Sequence, residues 1–415
     1  MPGKSPHILI AGGGIGGLTT ALALLRRGID VDVYEQAPEL REVGAGLQIG
    51  PNGSRLLIEL GLREPLEEVV CEAARKEVRL WNTGQTWKLF DLGRDCIERF
   101  DAPYWCVHRG DIHNVLRDAV LAQKPDAIHL SRQATGFTQG RDGIVLHLGG
   151  GHPDVRGDAI VAADGVHSRL REAAGIVDKT FFTGIMAWRG LVPAERLPEE
   201  SRALVGTNWV GPGAHVITYP LRRGELMNFV GVVEGRDWPI ESWTESGTLE
   251  ECLADFKNWH PTVQQTIRGL DVPFKWAFVG REPLTRWAFG RMCMIGDACH
   301  PTLPFLAQGA NMAIEDAVVV ARAIAASPRD IEGALRRFES LRIERTTKIV
   351  RGSTETAKRF HNPVLSDHDK AVDYVTREWE PERVRTRYDW LFEYDARTVD
   401  VAPSGAAPAA SAQSA

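Results

Sequence analysis

The feature that most constrains the fold is an apolar run near the N-terminus that leads into a glycine-rich turn. Residues 7–11 read His-Ile-Leu-Ile-Ala, followed by Gly12-x-Gly14-x-x-Gly17 and a run of alanines and leucines up to Leu25. The first run is typical of a buried strand and the second of a helix. Glycines at these positions allow a tight turn and bring a pyrophosphate close to the helix amides. The pattern predicts a nucleotide-binding strand–turn–helix unit.

An acidic residue at the end of the next predicted strand strengthens this interpretation. Residues 30–35 read Asp-Val-Asp-Val-Tyr-Glu, and Glu35 follows Gly17 by eighteen positions. A carboxylate at this place can accept hydrogen bonds from a ribose. The competing interpretation is a glycine-rich turn without a ligand, and strand, helix and distal acid together favour the nucleotide site.

Composition narrows the class of protein. The 415 residues suffice for two domains or one large two-lobed domain, and the formal net charge of −6 gives no basic surface for nucleic acid or a membrane. Residues 8–25 approach the length of a membrane span, but five glycines interrupt them. The six cysteines form no CxxC pair and no metal-ligand spacing with histidine, so no metal site is expected. We expect a cytoplasmic protein with reduced thiols.

Two later strand ends carry an aspartate. The apolar residues 159–163 end in Asp164-Gly165, and residues 291–295 lead into Gly296-Asp297. Gln308 then opens a predicted long helix.

Two further helix starts are predicted from local signals. Residues 105–116 change from a strand pattern to a helix pattern, and Asp111 is the expected N-cap. Another helix is expected to begin at Ser54 and to end at Gly61.

The domain organisation follows from a change of pattern in the middle of the chain. Residues 1–182 form the first part of a nucleotide-binding domain, which can also contain strands of a second lobe. Residues 183–276 alternate strand-like runs rich in Val, Trp, Tyr and Phe with turns, which indicates an inserted, mainly antiparallel substrate lobe. Residues 277–398 return to the first domain and add C-terminal helices. The Ala, Pro, Ser and Gly composition of residues 399–415 predicts a disordered tail.

The order of the three motifs resembles the single-component FAD-dependent aromatic hydroxylases, the class that includes para-hydroxybenzoate hydroxylase. The salicylate hydroxylase and 3-hydroxybenzoate 6-hydroxylase branch is the most similar, through Tyr388-Asp-Trp-Leu-Phe-Glu-Tyr-Asp395. The resemblance implies an α/β fold with a Rossmann-like FAD-binding domain of the para-hydroxybenzoate hydroxylase type, an inserted mainly antiparallel sheet and C-terminal helices. A monomer or a homodimer is expected.

The resemblance also implies which residues hold FAD. They are Gly12, Gly14, Ile15, Gly16, Gly17, Glu35, Gln36, Arg41, Arg109, Asp164, Asp297, Pro304, Gly309, Ala310 and Asn311. Arg41 and Arg109 match arginines near the cofactor, although both can also be solvated ion-pair partners. Backbone amides of Ala310 and Asn311, at a helix start, are expected to stabilise negative charge on the reduced ring.

The reaction implied by the resemblance is hydroxylation of a phenolic aromatic acid similar to salicylate or hydroxybenzoate. NAD(P)H, a transient co-substrate, reduces the flavin, O2 forms a flavin C4a-hydroperoxide, and this electrophile attacks the ring. Removing the phenolic proton makes the ortho and para carbons more electron-rich, so a base beside the hydroxyl should assist.

His215 is the expected base, because an imidazole titrates near neutral pH. His215 and Tyr219 lie four residues apart on a predicted strand, so both side chains point to one face. His300 is the second catalytic candidate, and it can equally serve only to hydrogen-bond its turn. Arg189 is expected to meet a substrate carboxylate or to form a structural ion pair, and Gln308 to contact substrate or ring.

Two other classes stay open. A non-catalytic FAD-fold binding protein, similar to the Rab GDP-dissociation inhibitors, would not oxidise NAD(P)H. An NAD-dependent dehydrogenase would bind NAD at Gly12 to Gly17 and would leave the Gly296-Asp297 motif unexplained. A histidine at position 47 would favour a 6-hydroxynicotinate 3-monooxygenase, and this chain has Leu47. The aromatic acid, the position hydroxylated, accompanying decarboxylation and the choice of NADH or NADPH are not decided by the sequence.

Overall fold

The structure, a computed structural model, describes residues 5–40, 46–177, 181–235 and 245–403. Strands and helices alternate along most of this length. The strands are β1 (His7–Ala11), β2 (Asp30–Tyr34), β3 (Gly46–Ile49), β4 (Val70–Cys71), β5 (Arg75–Leu80), β6 (Thr86–Asp91), β7 (Trp105–His108), β8 (Ile128–His129), β9 (Ala134–Gly140), β10 (Gly143–Leu148), β11 (Val155–Gly157), β12 (Ala159–Ala162), β13 (Phe181–Pro193), β14 (Val205–Gly211), β15 (Ala214–Leu221), β16 (Leu226–Glu234), β17 (Glu245–Ser246), β18 (Phe274–Gly280), β19 (Ala288–Phe289) and β20 (Met292–Met294).

Much of the described chain between the strands is helical. The α-helices are α1 (Ile15–Leu25), α2 (Pro51–Glu59), α3 (Arg63–Glu67), α4 (Arg94–Phe100), α5 (Arg109–Gln123), α6 (Arg169–Ala173), α7 (Leu249–Asp255), α8 (Pro261–Arg268), α9 (Gly309–Ala326), α10 (Ile331–Phe360), α11 (His368–Glu378) and α12 (Pro381–Phe392). None of the helices in the described ranges is long and apolar enough to cross a membrane.

The first layer is a six-stranded sheet with the order β19-β20-β12-β1-β2-β8 among the described residues. Its central strands are parallel, with Ile8 opposite Ala159 on one side and Val31 on the other. Strand β1 is fully buried from Ile8 to Ala11, so it must be covered on both faces. Helices α1, α5 and α9 and the small sheet β9–β11 supply this cover. The predicted strand–turn–helix unit therefore lies at the centre of the fold.

The second layer is an eight-stranded sheet with the order β17-β18-β13-β16-β15-β14-β5-β6. Neighbouring strands are antiparallel except β14 and β5, which confirms the predicted mainly antiparallel lobe. Strands β5 and β6 come from residues 75–91, well before the inserted segment. Side chains alternate along β15: Ala214 and Val216 pack against α7 and α8, whereas His215 and Ile217 face a cavity. The domain boundaries at residues 183 and 276 stay a prediction.

Two predicted helix starts are corrected by the structure. Helix α5 begins at Arg109 directly after β7, and the Nδ1 atom of His108 accepts a hydrogen bond from the Gly110 amide at 3.2 Å. Asp111 lies inside the first turn, where it pairs with Arg222 at 2.8 Å. Helix α2 begins at Pro51 and not at Ser54, because the fixed φ of proline suits the first helical position.

A buried ion cluster joins α9 to α10. The Nη2 atom of Arg342 lies 2.6 Å from Oε2 of Glu315, and its Nε atom lies 2.7 Å from Oδ1 of Asp316. All three side chains are fully buried. The Oδ2 atom of Asp316 accepts a hydrogen bond from the Gly296 amide at 3.0 Å. Burial opposes ionisation of Asp316, but His300 and Arg342 outweigh it and lower its pKa to about 2.

Replacing Arg342 with Met should lower the free energy of unfolding by about 3–5 kcal/mol, because the buried Asp316 loses its arginine partner and Glu315 keeps only Arg345. The matched control is Arg336→Met, since Arg336 lies on the same helix and pairs with Glu332 at 3.8 Å on the exposed side. That change should cost less than about 1 kcal/mol. Urea unfolding followed by circular dichroism measures both. Equal losses in the two variants would contradict the role of the cluster.

Candidate active site

A cavity of about 940 Å³ separates the end of the six-stranded sheet from one face of the eight-stranded sheet. This volume is at the upper end for ligand sites, which suits a large cofactor together with a small substrate. Most of the residues predicted from the sequence line it. They are Gly12, Gly14, Ile15, Gly16, Glu35, Gln36, Arg109, Asp164, Arg189, His215, Tyr219, Asp297, Pro304, Gln308, Gly309 and Ala310.

The glycine-rich turn after β1 presents the N-terminus of α1 to this cavity. Gly12 has a φ of +105°, and a Cβ atom there would lie 2.3 Å from the carbonyl oxygen of Ala163. A Cβ atom at Gly17 would lie 2.0 Å from the Gly12 carbonyl oxygen, so helix and strand are in close contact there. A Cβ atom at Gly14, the N-cap of α1, would meet no described atom within 4 Å. The open space at Gly14 and the helix amides together fit a phosphate group.

Glu35, directly after β2, is held in place by backbone amides. Its Oε2 atom accepts a hydrogen bond from Gly13 at 2.7 Å, and its Oε1 atom accepts one from Ala37 at 2.8 Å. A carboxylate has about four acceptor positions, so Glu35 keeps capacity for ribose hydroxyls. The fixed carboxylate and the open helix N-terminus line the same part of the cavity.

Two carboxyl groups mark the other end of the cofactor region. Oδ2 of Asp164 accepts a hydrogen bond from the Leu170 amide at 3.2 Å, whereas its buried Oδ1 has no partner in the described part of the chain. Asp297, after β20, exposes its side chain to the cavity. Desolvation raises the pKa of both carboxyl groups. An unpartnered buried acceptor next to a cavity fits a ligand that offers hydroxyl donors. These residues therefore fit FAD.

The turn between β20 and α9 forms one wall of the cavity. Pro304, Gly309 and Ala310 line it, and Gly309 begins α9, so the positive end of the helix dipole is directed at the cavity. The side chain of Asn311 has a different role: its Oδ1 atom accepts from the Gly50 amide at 3.0 Å, and its Nδ2 atom donates to the Gln48 carbonyl at 3.0 Å. Asn311 thus connects α9 to β3 and to the residue between β3 and α2.

His215 and Tyr219 stand on the sheet wall, as their spacing on β15 predicts. His215 is completely buried, and its Nε2 atom has no hydrogen-bond partner among the described residues. Burial lowers its pKa well below 6.5, with a smaller contribution from His361, so the imidazole is neutral at neutral pH. Burial raises the pKa of Tyr219 above its ordinary value, so its hydroxyl stays protonated. A Cβ atom at Gly46 would lie 2.6 Å from the Tyr219 ring, which explains the glycine there.

Arg189 supplies a positive charge to the same cavity. Its guanidinium carbon lies 4.0 Å from the centre of the Trp276 ring, a cation–π contact that fixes the side chain. Burial lowers its pKa to about 10, so Arg189 remains charged at neutral pH. A neutral acceptor, His215, and a cation, Arg189, therefore share one compartment.

The structure bears differently on the expectations for His300, for a metal site and for Arg41. His300 is not part of the cavity lining: it is 1% exposed, and its Nε2 atom lies 2.5 Å from Oδ2 of Asp316. This corrects its catalytic assignment, since Asp316 binds the ring inside the ion cluster.

Cys299, His300 and Asp316 bring potential metal ligands within 4.8 Å, but the guanidinium of Arg342 already supplies the positive charge there. Arg41 lies outside the described residues.

Sequence reasoning missed two residues that the structure brings to the site. The Nε2 atom of His361, at the end of α10, lies 2.5 Å from Nδ1 of His215. Gln48 accepts a hydrogen bond from the Tyr104 hydroxyl at 2.7 Å and lines the cavity. His361 follows His215 by 146 positions, and no local pattern connects the two. Only the packing of α10 against the sheet identifies the pair.

Comparison with known proteins defines the class. Residues 6–353 match the family model described as FAD binding domain. A 3-amino-4-hydroxybenzoate 2-monooxygenase of Streptomyces platensis is 39% identical over 397 residues, 95% of this chain and 97% of the relative. A 3-hydroxybenzoate 6-hydroxylase of Polaromonas naphthalenivorans (strain CJ2) is 33% identical, covering 94% of this chain and 96% of the relative.

Solved structures agree with this assignment. HpxO of Klebsiella pneumoniae, crystallised with FAD and uric acid, superposes with a TM-score of 0.81 at 27% identity, covering 94% of this chain and 97% of HpxO. A salicylate hydroxylase substrate complex has a TM-score of 0.78 at 23% identity and covers 95% and 96% of the two chains; it supports the fold. The chain belongs to the FAD binding domain family and is a single-component FAD-dependent aromatic monooxygenase. This confirms the fold class and FAD as predicted, and NAD(P)H is the co-substrate typical of these enzymes.

Replacing Gly14 with Leu should abolish FAD retention, because the new side chain would occupy open space in front of the helix amides without a clash against described protein atoms. A loss of about 100-fold in affinity corresponds to about 2.7 kcal/mol. The ratio of flavin to protein absorbance after purification measures occupancy. Gly140→Leu is the control, since its surroundings are equally open but it is not part of the cavity lining. A yellow Gly14→Leu protein with full occupancy would refute this site.

Proposed function

We propose that this enzyme hydroxylates a phenolic benzoate, of the aminohydroxybenzoate or hydroxybenzoate type, with NAD(P)H and O2. The observation that carries the proposal is the shared cavity of His215 and Arg189, an uncharged acceptor for a phenolic proton and a cation for a carboxylate. The names of the relatives support it, since both describe a benzoate with a hydroxyl group. Monomer or homodimer, and a cytoplasmic location, stay predictions.

Each side chain of the substrate region has a separate role in the proposed reaction. Arg189 binds the carboxylate, and its contact with Trp276 restricts the guanidinium to one orientation. His215 accepts the phenolic proton at Nε2, and Tyr219 orients the ring from the same strand. Val230, Val232 and Phe278 add apolar walls that exclude water.

The cofactor residues complete the proposal. Glu35 and the amides of α1 hold the adenine half of FAD, and Asp164 and Asp297 accept hydrogen bonds from its hydroxyl groups. Bound FAD supplies the reductive activation of O2, which amino acid side chains do not provide. The N-terminus of α9 stabilises negative charge near the reactive edge of the ring. Arg109, which lines the same cavity, adds positive charge close to Asp297.

The substrate proposal is tested by NAD(P)H oxidation and product analysis with matched benzoates. We expect 3-amino-4-hydroxybenzoate, 3-hydroxybenzoate or salicylate to stimulate oxidation and to be hydroxylated. 3-Aminobenzoate, which lacks the phenol, should not be hydroxylated. 2-Aminophenol, which lacks the carboxylate, should show a KM raised by about 10- to 100-fold, as expected for one lost charged hydrogen bond. Equal KM values with and without the carboxylate would argue against the anionic subsite.

Arg189→Gln should raise KM for the carboxylated substrate by about 10- to 100-fold and leave KM for 2-aminophenol nearly unchanged. This pattern isolates the carboxylate, because a general loss of structure would affect both compounds. Arg156→Gln, an exposed arginine on β11, is the control. Steady-state kinetics with product detection measures both variants. Parallel increases for both compounds would assign Arg189 a structural role.

His215→Ala should slow hydroxylation by about 10²- to 10⁴-fold, as is typical for loss of a general base. Flavin reduction should change much less, and more hydrogen peroxide should be released because the unactivated ring reacts poorly. Stopped-flow kinetics of the two half-reactions, with peroxide quantified, separates these effects. Tyr219→Phe should show a milder loss. Unchanged hydroxylation and coupling in His215→Ala would move the base to another residue.

A further inference from the structure

The Nδ1 atom of the cavity-lining residue His215 begins a hydrogen-bonded chain that ends at an exposed carboxylate outside the cavity lining. Nδ1 of His215 lies 2.5 Å from Nε2 of His361, and Nδ1 of His361 lies 2.5 Å from Oε1 of Glu234. The three side chains therefore form one continuous path that begins at the cavity. Accessibility changes along it, because the side chain of His361 is 1% exposed and that of Glu234 is 43% exposed.

Backbone contacts hold this path together. The His361 amide donates to the Ala357 carbonyl at 3.0 Å at the end of α10, and the His361 carbonyl accepts from the Gly213 amide at 3.2 Å. The Glu234 amide donates to the Gly213 carbonyl at 2.9 Å. One turn, between β14 and β15, is thus bonded to both of the outer members of the path. Backbone hydrogen bonds therefore fix His361 and Glu234, in contrast to a surface ion pair between two long side chains.

The carboxylate at the outer end decides the tautomer of both rings. A carboxylate only accepts, so Nδ1 of His361 carries a proton and donates to Glu234. Nε2 of His361 is then the acceptor for the proton on Nδ1 of His215. This leaves Nε2 of His215, a buried atom without a hydrogen-bond partner among the described residues, as an acceptor on a side chain that lines the cavity. The path therefore prepares His215 to receive a proton from a substrate hydroxyl.

The buried surroundings of His215 make a positive charge on its ring unfavourable. Desolvation lowers the pKa of His215 well below 6.5, and it lowers that of His361 although Glu234 opposes this. The rings of Phe305 and Phe360 pack against His215 with centroids at 5.3 and 5.1 Å, so its surroundings are apolar on these sides. An imidazolium formed here would be poorly solvated. A proton can still be accepted if another one leaves the far side of the ring.

We propose that His215, His361 and Glu234 form a proton relay that carries the phenolic proton of the substrate from the cavity to solvent. The O–H bond of the phenol breaks, and its proton binds to Nε2 of His215. The proton on Nδ1 of His215 passes to Nε2 of His361, and the proton on Nδ1 of His361 passes to Oε1 of Glu234, which releases it to water. Both rings end neutral in the opposite tautomer, and His215 then donates a hydrogen bond to the phenolate.

This inference rests on the proposed function and extends it to two residues that do not contact the substrate. His361 and Glu234 are positioning residues, and they act through His215. The alternative is a structural clamp, in which these side chains only hold the end of α10 against the end of β16. The relay predicts that changes at His361 or Glu234 slow proton transfer and leave flavin reduction nearly unchanged. The clamp predicts that both steps are slowed equally.

The test uses the FAD-loaded enzyme and 3-amino-4-hydroxybenzoate as the probe, with variants Glu234→Gln and His361→Gln. Stopped-flow difference spectra follow conversion of bound phenol to phenolate, and a pH indicator follows proton release. We expect both variants to ionise the probe about 10- to 100-fold more slowly, with flavin reduction changed less than about twofold. Glu234→Asp, which keeps a carboxylate, should recover part of the rate. Glu225→Gln removes an exposed carboxylate beside the opposite end of β16 and should behave as wild type.

The outcomes separate this inference from the proposed function. Unchanged ionisation in Glu234→Gln, in an enzyme whose wild type hydroxylates the probe, overturns the relay alone. Because Glu234 is exposed, this variant decides the question even where His361→Gln does not fold. Equal slowing of flavin reduction and ionisation in both variants also overturns the relay and supports the clamp. A wild type that binds the probe without ionising it overturns both proposals.

Discussion

The arrangement of the site depends on the buried ion cluster of Arg342 with the adjacent carboxylates Glu315 and Asp316. Asp316 also accepts a hydrogen bond from the Gly296 amide, the residue before Asp297 in the cavity wall. A charge left unpaired in a poorly solvating interior is costly, so α9, α10 and this turn are held in one arrangement. The position of a cofactor-facing carboxyl group is thus set by charges outside the cavity.

Desolvation then assigns each cavity group its chemical state. His215 remains neutral and can accept a proton, Arg189 remains charged, and the pKa values of Asp164 and Asp297 are raised. In water a histidine would be partly protonated near neutral pH, whereas burial keeps His215 neutral. A phenolic acid presents the complementary groups, a proton donor and an anion. The proposed preference for this substrate class rests on where these side chains are buried, and the contact with Trp276 adds a fixed orientation for Arg189.

Local signals were sufficient for the nucleotide-binding unit, whose interacting groups are close along the chain, but not for every helix start. Gly12 and Gly17 make the tight turn and the close helix–strand contact that their spacing predicts, and Glu35 lies at the next strand end beside that turn. Its contact with a ribose stays a prediction. Asp111 failed as a predicted cap because β7 runs directly into α5 and His108 takes that position. His300 was placed in the correct turn, but its partner, Asp316, lies on the following helix and holds the ring away from the cavity.

The amino-acid pattern predicted the nucleotide-binding unit and placed His215 and Tyr219 on one face of a strand, and the resemblance of its motifs to known hydroxylases implied the family and FAD. The tertiary structure decided what stands opposite each polar side chain. Strands β5 and β6 joined a sheet made mostly of much later residues, and His361, at the end of α10, became the partner of His215. The physical reason is that strand and helix periods encode which side chains share a face, whereas hydrogen-bond partners depend on packing between elements that are distant in the chain.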